Sequence, residues 1–189
     1  YYESEELRSF GFARVGENVR IAKNCVVIGA GNIGLGDDVR VDAFTTIVAT
    51  TGKLRFEGRN HVGGHTHLCA TADLTLGEFA GLSQGVRIYT ASDDYGGRAL
   101  TGPCVPRHLS NATIAPVSIG RHCIVGAGSV ILPGCDLHEG AAVGALSLVT
   151  RTLTAWTVYH GNPARKVSDR ARNPLALEML IHDLEVIAA

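Results

Sequence analysis

The sequence predicts an all-β solenoid, a coil of short parallel strands followed by one C-terminal helix. Three observations carry this. Ile119, Val125, Ile131, Leu137, Val143 and Val149 follow one another at a spacing of six residues. Cys123, Ser129, Cys135, Ala141 and Ser147 lie four residues after the first five of them, and every one is small. Gly120, Gly126 and Gly144 stand directly after three of the branched residues. A helix repeats about every 3.6 residues and a strand about every 2, so a period of six fits only the strand. A strand of roughly four or five residues and a short corner make one unit, and three units close a triangular turn of about eighteen residues. The branched residue then points inward and stacks on its equivalent in the next turn. The small residue fits near a corner, and glycine supplies corner torsions that other residues resist. A β-sandwich is the competing arrangement, but it needs longer alternating strands with turn signals every ~8–12 residues.

The elements follow in order. Residues 4–12 read as a short helix. The same rhythm then runs through Val15, Ile21, Val27 and Ile33, through Leu35, Val41 and Ile47, through Phe56, Val62 and Leu68, and through Leu76, Leu82 and Ile88. Extra residues between these groups are expected to bulge from corners. From Ile88 to Ile119 the rhythm is lost, and residues 93–116 form an insertion. It carries Asp93, Asp94, Tyr95, Pro103, Pro106, His108, Asn111 and Pro116. A loop this long inside a compact domain is commonly functional. Its prolines favour an ordered arm; a tolerated insertion without a role is the alternative. After Asn173-Pro174, the residues Leu175, Leu177, Glu178, Leu180, Ile181, Leu184 and Ile187 are spaced for an amphipathic helix. It would pack on the coil or on a neighbouring subunit, as a cap for a core that an open coil leaves exposed. The organisation is one coil domain over 1–172, interrupted at 93–116, and a helix over 173–189.

Composition narrows the function. The 189 residues make room for one ordinary domain. Lys and Arg total 17 against 18 Asp and Glu, which speaks against a partner bound by phosphate neutralisation such as nucleic acid. No apolar stretch approaches the ~20 residues of a membrane span. No basic–apolar–small leader opens the chain; its start at Tyr1 rather than Met leaves room for a natural start upstream. Five cysteines, an odd number with no CxxC pair, read as reduced thiols in a cytoplasm. Cys123 sits at a small inward position and is expected to be buried and inert rather than a nucleophile.

The hexads, with Ile88-Tyr-Thr-Ala-Ser-Asp-Asp-Tyr, Val143-Gly-Ala-Leu-Ser-Leu-Val-Thr-Arg and Gly161-Asn-Pro-Ala-Arg, resemble the hexapeptide-repeat acyltransferases over about residues 56–167. They are similar to the maltose and galactoside O-acetyltransferases. They are more similar still to sugar acyltransferases of O-antigen and capsule clusters, some of which acylate a nucleotide-linked 4-amino-4,6-dideoxyhexose. The resemblance implies a left-handed parallel β-helix, a homotrimer with active sites shared between subunits, and acetyl-CoA as donor. It puts backbone contacts to the pantetheine arm at Ala127 and Ala145. It puts Thr150, Arg151 and Arg165 against the adenosine and its phosphates, where a planar guanidinium suits phosphate. In the maltose group the catalytic histidine follows the Tyr-Thr-Ala stretch, where this chain has Asp93. That group often has an asparagine where this chain has His67.

Acyl transfer to a hydroxyl needs a base, and histidine serves near neutral pH. His61, His65 and His67 lie close in sequence. His65 and His67, three and five residues after Val62, are expected to face outward on one side, with His67 at a corner and Asp93 at the equivalent corner one turn later. His67 is the expected base, and Asp93 or Asp94 orients it or binds the acceptor, across a subunit interface. His65, Tyr95 and Asn111 are candidates for the acceptor pocket. An amine acceptor relaxes the need for a base, since a deprotonated, positioned amine attacks a thioester unaided. The reading is therefore an acetyl-CoA-dependent transferase acting on a sugar hydroxyl or amino group, free or nucleotide-linked, in surface-glycan assembly. N-acetylation of a nucleotide-linked 4-amino-4,6-dideoxy sugar is the first alternative. A zinc enzyme of the γ-carbonic-anhydrase type, using His61, His65 and His67, and a non-catalytic scaffold are the others; no metal is expected.

Overall fold

A computed structural model describes residues 1–188, with side chains to residue 181. The chain winds into a parallel coil with three faces. Face 1 stacks Arg14–Val15, Ile33–Leu35, Leu54–Phe56, Leu74–Leu76, Val117–Ile119 and Asp136–Leu137. Face 2 stacks Arg20–Ile21, Arg40–Val41, His61–Val62, Gly81–Leu82, Ile124–Val125, Ala142–Val143 and Thr157–His160. Face 3 stacks Val26–Ile28, Thr46–Val48, His67–Cys69, Arg87–Tyr89, Val130–Ile131 and Leu148–Val149. The register matches the hexads: Leu35 pairs with Phe56, Phe56 with Leu76, and Leu76 with Ile119. These branched and aromatic residues fill the interior and are almost wholly excluded from solvent.

The small series also points inward. Where it is polar, its hydroxyls bond to backbone carbonyls: Ser129 and Ser147 both donate to the carbonyl of Gly144, at 3.0 and 2.7 Å. Cys123 is buried and its thiol is pushed up to about 12 by loss of hydration, so it stays protonated.

The corners correct the expected role of glycine. Gly120, Gly126 and Gly144 do not have a left-handed backbone. They permit close approach of the next turn: a Cβ on Gly126 would lie 2.4 Å from the Ala145 amide nitrogen. The left-handed torsion falls three residues after the branched residue instead. There it is carried by Gly85, Gly128, Gly134 and Gly140, and equally by Asn18, Asp38, Phe44, Arg59, His65, Phe79, His122, Leu146 and Trp156. Such a torsion is uncommon for bulky residues, and stacking supports several of them. The Phe79 ring lies 5.0 Å from that of His122 on the edge between faces 1 and 2, and Phe44 lies 5.1 Å from His65 on the edge between faces 2 and 3.

Both ends are closed. The N-terminal helix spans Ser4–Arg8, shorter than the expected 4–12, and inserts Leu7 into the open first turn. At the other end Arg165–Asp169 adds an antiparallel strand against Thr157–His160, which the hexads do not announce. The helix Asn173–Ala188 follows. It is fastened by Glu178, whose carboxylate takes the Arg121 guanidinium and the ring of buried His122, the latter at 2.5 Å. Leu177, Met179 and Leu180 remain exposed, while the side chains of Leu184 and Ile187 lie outside the described residues.

Candidate active site

The insertion leaves the coil from the edge between faces 3 and 1. Ala91–Ser92 pairs antiparallel with Thr113–Ile114 to make its neck. Buried Thr90 anchors this neck: its hydroxyl accepts from the Ala72 amide and donates to the Cys69 carbonyl, and its own carbonyl accepts from the Ala115 amide. The arm beyond has internal order, with a short 3-10 helix over Arg107–Leu109.

At the root of the arm lies an open cleft of about 440 Å³, lined by Tyr89, Ser92, Asp93, Tyr95, Val130 and Leu132 among others. Asp93 is exposed here. Asp94 is engaged locally: its carboxylate accepts the amides of Gly96 and Arg98 at 2.8 and 2.9 Å and faces the Arg98 guanidinium at 3.5 Å. The Gly96 amide, then that of Arg98, holds the Asp94 carboxyl below its usual range. Asp94 thus shapes the turn that presents Tyr95, which is 94% exposed. Of the two aspartates, Asp93 faces the cleft. Asn111 is exposed on the arm and is not among the lining residues.

His67 starts its strand on face 3, half-buried. The register places Arg87, not Asp93, beside it in the next turn, because Asp93 lies beyond the strand at the arm's root. The His67 ring faces Tyr89 at 5.5 Å, so Tyr89 stands between His67 and the Asp93 cleft. Burial, and then the charge of Arg87, push the His67 imidazole below its usual pKa. It is neutral at pH 7, the state that accepts a proton or a hydrogen bond. Sequence reasoning passed over Tyr89. Its signal was an outward position next to inward Ile88 in a chain with only 6% aromatic residues.

The three histidines do not converge. His61 meets Asp42 at 2.8 Å on face 2, where Arg40 and Tyr1 share the same carboxylate. His65 stacks on Phe44 at the edge, and His67 turns to Tyr89. The zinc triad considered from sequence therefore does not assemble, and among the described residues no three His, Cys, Asp or Glu side chains gather for a metal.

The residues assigned to the donor lie further up the coil. Ala127 and Ala145 occupy the edge between faces 2 and 3 in successive turns, joined by the bond from the Leu146 amide to the Ala127 carbonyl. The segment before Arg165 covers the same edge: the Leu148 amide donates to the Gly161 carbonyl, and the Ala164 amide to the Leu148 carbonyl. Phe44, His65, Gly85, Gly128 and Leu146 continue that edge toward the N-terminus. Thr150 and Arg151 are exposed just past the last strand of face 3, and Arg165 is exposed where the final strand begins.

Known proteins agree with this architecture. No protein-family model matches the chain. A dTDP-4-amino-4,6-dideoxy-D-glucose acyltransferase from Escherichia coli is 36% identical over 178 residues, covering 94% of this chain and 93% of that protein. AntD, an N-acyltransferase from Bacillus cereus crystallised with dTDP and 3-hydroxybutyryl-CoA, superposes with a TM-score of 0.92 at 35% identity, over 100% of this chain and 98% of that one. A maltose O-acetyltransferase from Clostridium difficile, 23% identical with a TM-score of 0.57 over 89% of this chain and 74% of its own, shares the fold. With its hexads, its three-faced coil and this kinship along nearly its whole length, the chain belongs to the hexapeptide-repeat sugar acyltransferases.

Proposed function

We propose that the protein transfers an acyl group from a CoA thioester to the 4-amino group of a dTDP-linked 4-amino-4,6-dideoxy sugar. The observation that carries this is Asp93, an exposed carboxylate in the arm-root cleft, at a position where the resemblance to the maltose group implies a catalytic histidine. The amino-sugar specificity of the Escherichia coli relative and the ligands of AntD support the same substrates. In this reading the acceptor amine enters unprotonated and Asp93 accepts one of its N–H bonds. The nitrogen attacks the thioester carbonyl, and the C–N bond forms as the carbonyl becomes an oxyanion held by backbone amides. The nitrogen of that adduct is far more acidic than the free ammonium, so its proton passes to Asp93. Collapse breaks the C–S bond, and the proton goes on to the departing CoA sulfur. Ala127 and Ala145 flank the pantetheine, Thr150, Arg151 and Arg165 meet the adenosine end, and Tyr95 borders the acceptor; His65 and Asn111, outside the arm-root cleft of their own chain, meet an acceptor only where a neighbouring subunit completes the site. The enzyme is read as a cytoplasmic homotrimer serving surface-glycan assembly, with its sites completed between subunits.

A second reading, O-acylation, is favoured by His67, whose neutral imidazole is suited to take a hydroxyl proton. CoA release, followed with a thiol-reactive dye, separates the two. Acyl-CoA with dTDP-4-amino-4,6-dideoxyglucose is expected to release CoA, and the 4-hydroxy counterpart is not. The opposite preference would replace the first reading with the second, and His67→Ala would then abolish turnover.

A further inference from the structure

A second cleft, on face 1, has a different character. The outward positions of that face run, in register, Arg14, Gly34, Arg55, Thr75, Ser118 and Asp136. Arg14 and Arg55 therefore stand two rungs apart with a glycine between them. Rungs are spaced by about 4.8 Å, so the two guanidinium groups, on long flexible stems, can converge above Gly34. Asn32 and Lys53 approach from the adjoining edge. These residues line a cleft of about 570 Å³ in which Glu57 is the one carboxylate among the lining residues.

Gly34 is not required by the backbone. Its torsion is not left-handed, and an added Cβ would meet only the Arg14 Cβ, at 3.9 Å. Its neighbour Gly36 is the opposite case, with the Glu57 carbonyl oxygen 2.4 Å from where a Cβ would sit. The missing side chain at 34 therefore opens space between two cations. Among the described residues, the side chains of Arg14 and Lys53 have no hydrogen-bond or ion-pair partner, and Arg55 reaches only Asp73, at 4.0 Å. Three cationic side chains against the one lining carboxylate, Glu57, leave an excess of positive charge that an anion offsets, and guanidinium forks suit phosphate oxygens.

We propose that this cleft binds the diphosphate of a nucleotide, with Arg14 and Arg55 gripping it from either side of Gly34 and Lys53 at the rim. The anion site stands on these residues alone; its assignment to the acceptor's diphosphate rests on the N-acyltransferase reading above. CoA also carries a diphosphate, and the test tells the two sources apart.

Calorimetric titration of the full chain with inorganic pyrophosphate, dTDP and CoA, alongside a melting curve, tests this. Arg14→Gln and Arg55→Gln are expected to melt like the wild type, because both side chains are exposed. Each should bind pyrophosphate and dTDP roughly tenfold or more weakly while CoA affinity holds. Gly34→Glu should abolish dTDP binding. Loss of CoA affinity with dTDP unchanged would overturn the acceptor assignment. Unchanged affinity for all three ligands in all three variants would overturn the site. A wild type that acylates no amino sugar, yet loses dTDP binding through Arg14→Gln, would remove the acyltransferase reading and leave the anion site standing.

Discussion

Asp93 and Asp94 are adjacent in sequence and unlike in surroundings. Asp94 is bonded to two amides of its own turn, whereas Asp93 faces the cleft. Asp93→Asn keeps the shape and removes the proton acceptor, so kcat should fall about 10²-fold or more with a smaller change in KM. Asp94→Asn should act mainly through loss of the turn and raise the acceptor KM. Steady-state kinetics of both variants check this, and equal kcat losses would contradict the division of roles. His67 supplies a pH test. Its folded-state pKa is below the ordinary value, so the folded protein binds fewer protons than the unfolded chain across that interval. Any stability tied to its neutral form is complete above the unfolded pKa of about 6.5 and is lost as pH falls through the lower, folded one. His67→Gln should flatten that acid-side decline in melting temperature.

At the scale of elements, the C-terminal helix is tied to the coil by a small number of polar contacts. Glu178 joins Arg121 and His122 and is held below its usual pKa by them, against the opposing effect of burial. Glu178→Ala leaves the buried imidazole without this partner, a cost of about 1–3 kcal/mol. Hydrogen exchange should then quicken across residues 173–181 while the strands of face 1 stay protected. This clasp was not legible in the sequence. The apolar spacing announced the helix, but Arg121 and His122 are distant in the chain and sit at a corner whose direction only the coil defines. The hexads, by contrast, made the inward residues and the interruption after Ile88 plain, because stacking of identical units writes its period into the side chains. The hexads did not reveal the left-handed corner torsion, because Phe79, His122 and Trp156 carry it as readily as Gly140. Counting sixes also set Asp93 at a corner of the coil, whereas the chain has already entered the neck of the arm before reaching it; the pairing with His67 was expected across a subunit interface.

For the whole molecule, the coil buries its own core completely and leaves large apolar groups outside. Leu146 is 77% exposed, and Leu177, Met179 and Leu180 exceed half exposure. Such positions fit the trimer proposed above. Light scattering should give three times the mass of one chain, and Leu180→Glu should shift the population toward single chains and lower activity with it. A monodisperse, active monomer would contradict the shared-site arrangement.

The neck formed by Ala91–Ser92 and Thr113–Ile114 brings the outgoing and returning strands of the arm together before the coil resumes. The rungs therefore take no measure of what lies between. Leu74, Thr75 and Leu76 meet Val117, Ser118 and Ile119 in unbroken register across the insertion. The arm can therefore lengthen or shorten beyond its root without disturbing the stacking of the coil, whereas Asp93 is held to its place at the root by the cleft it lines.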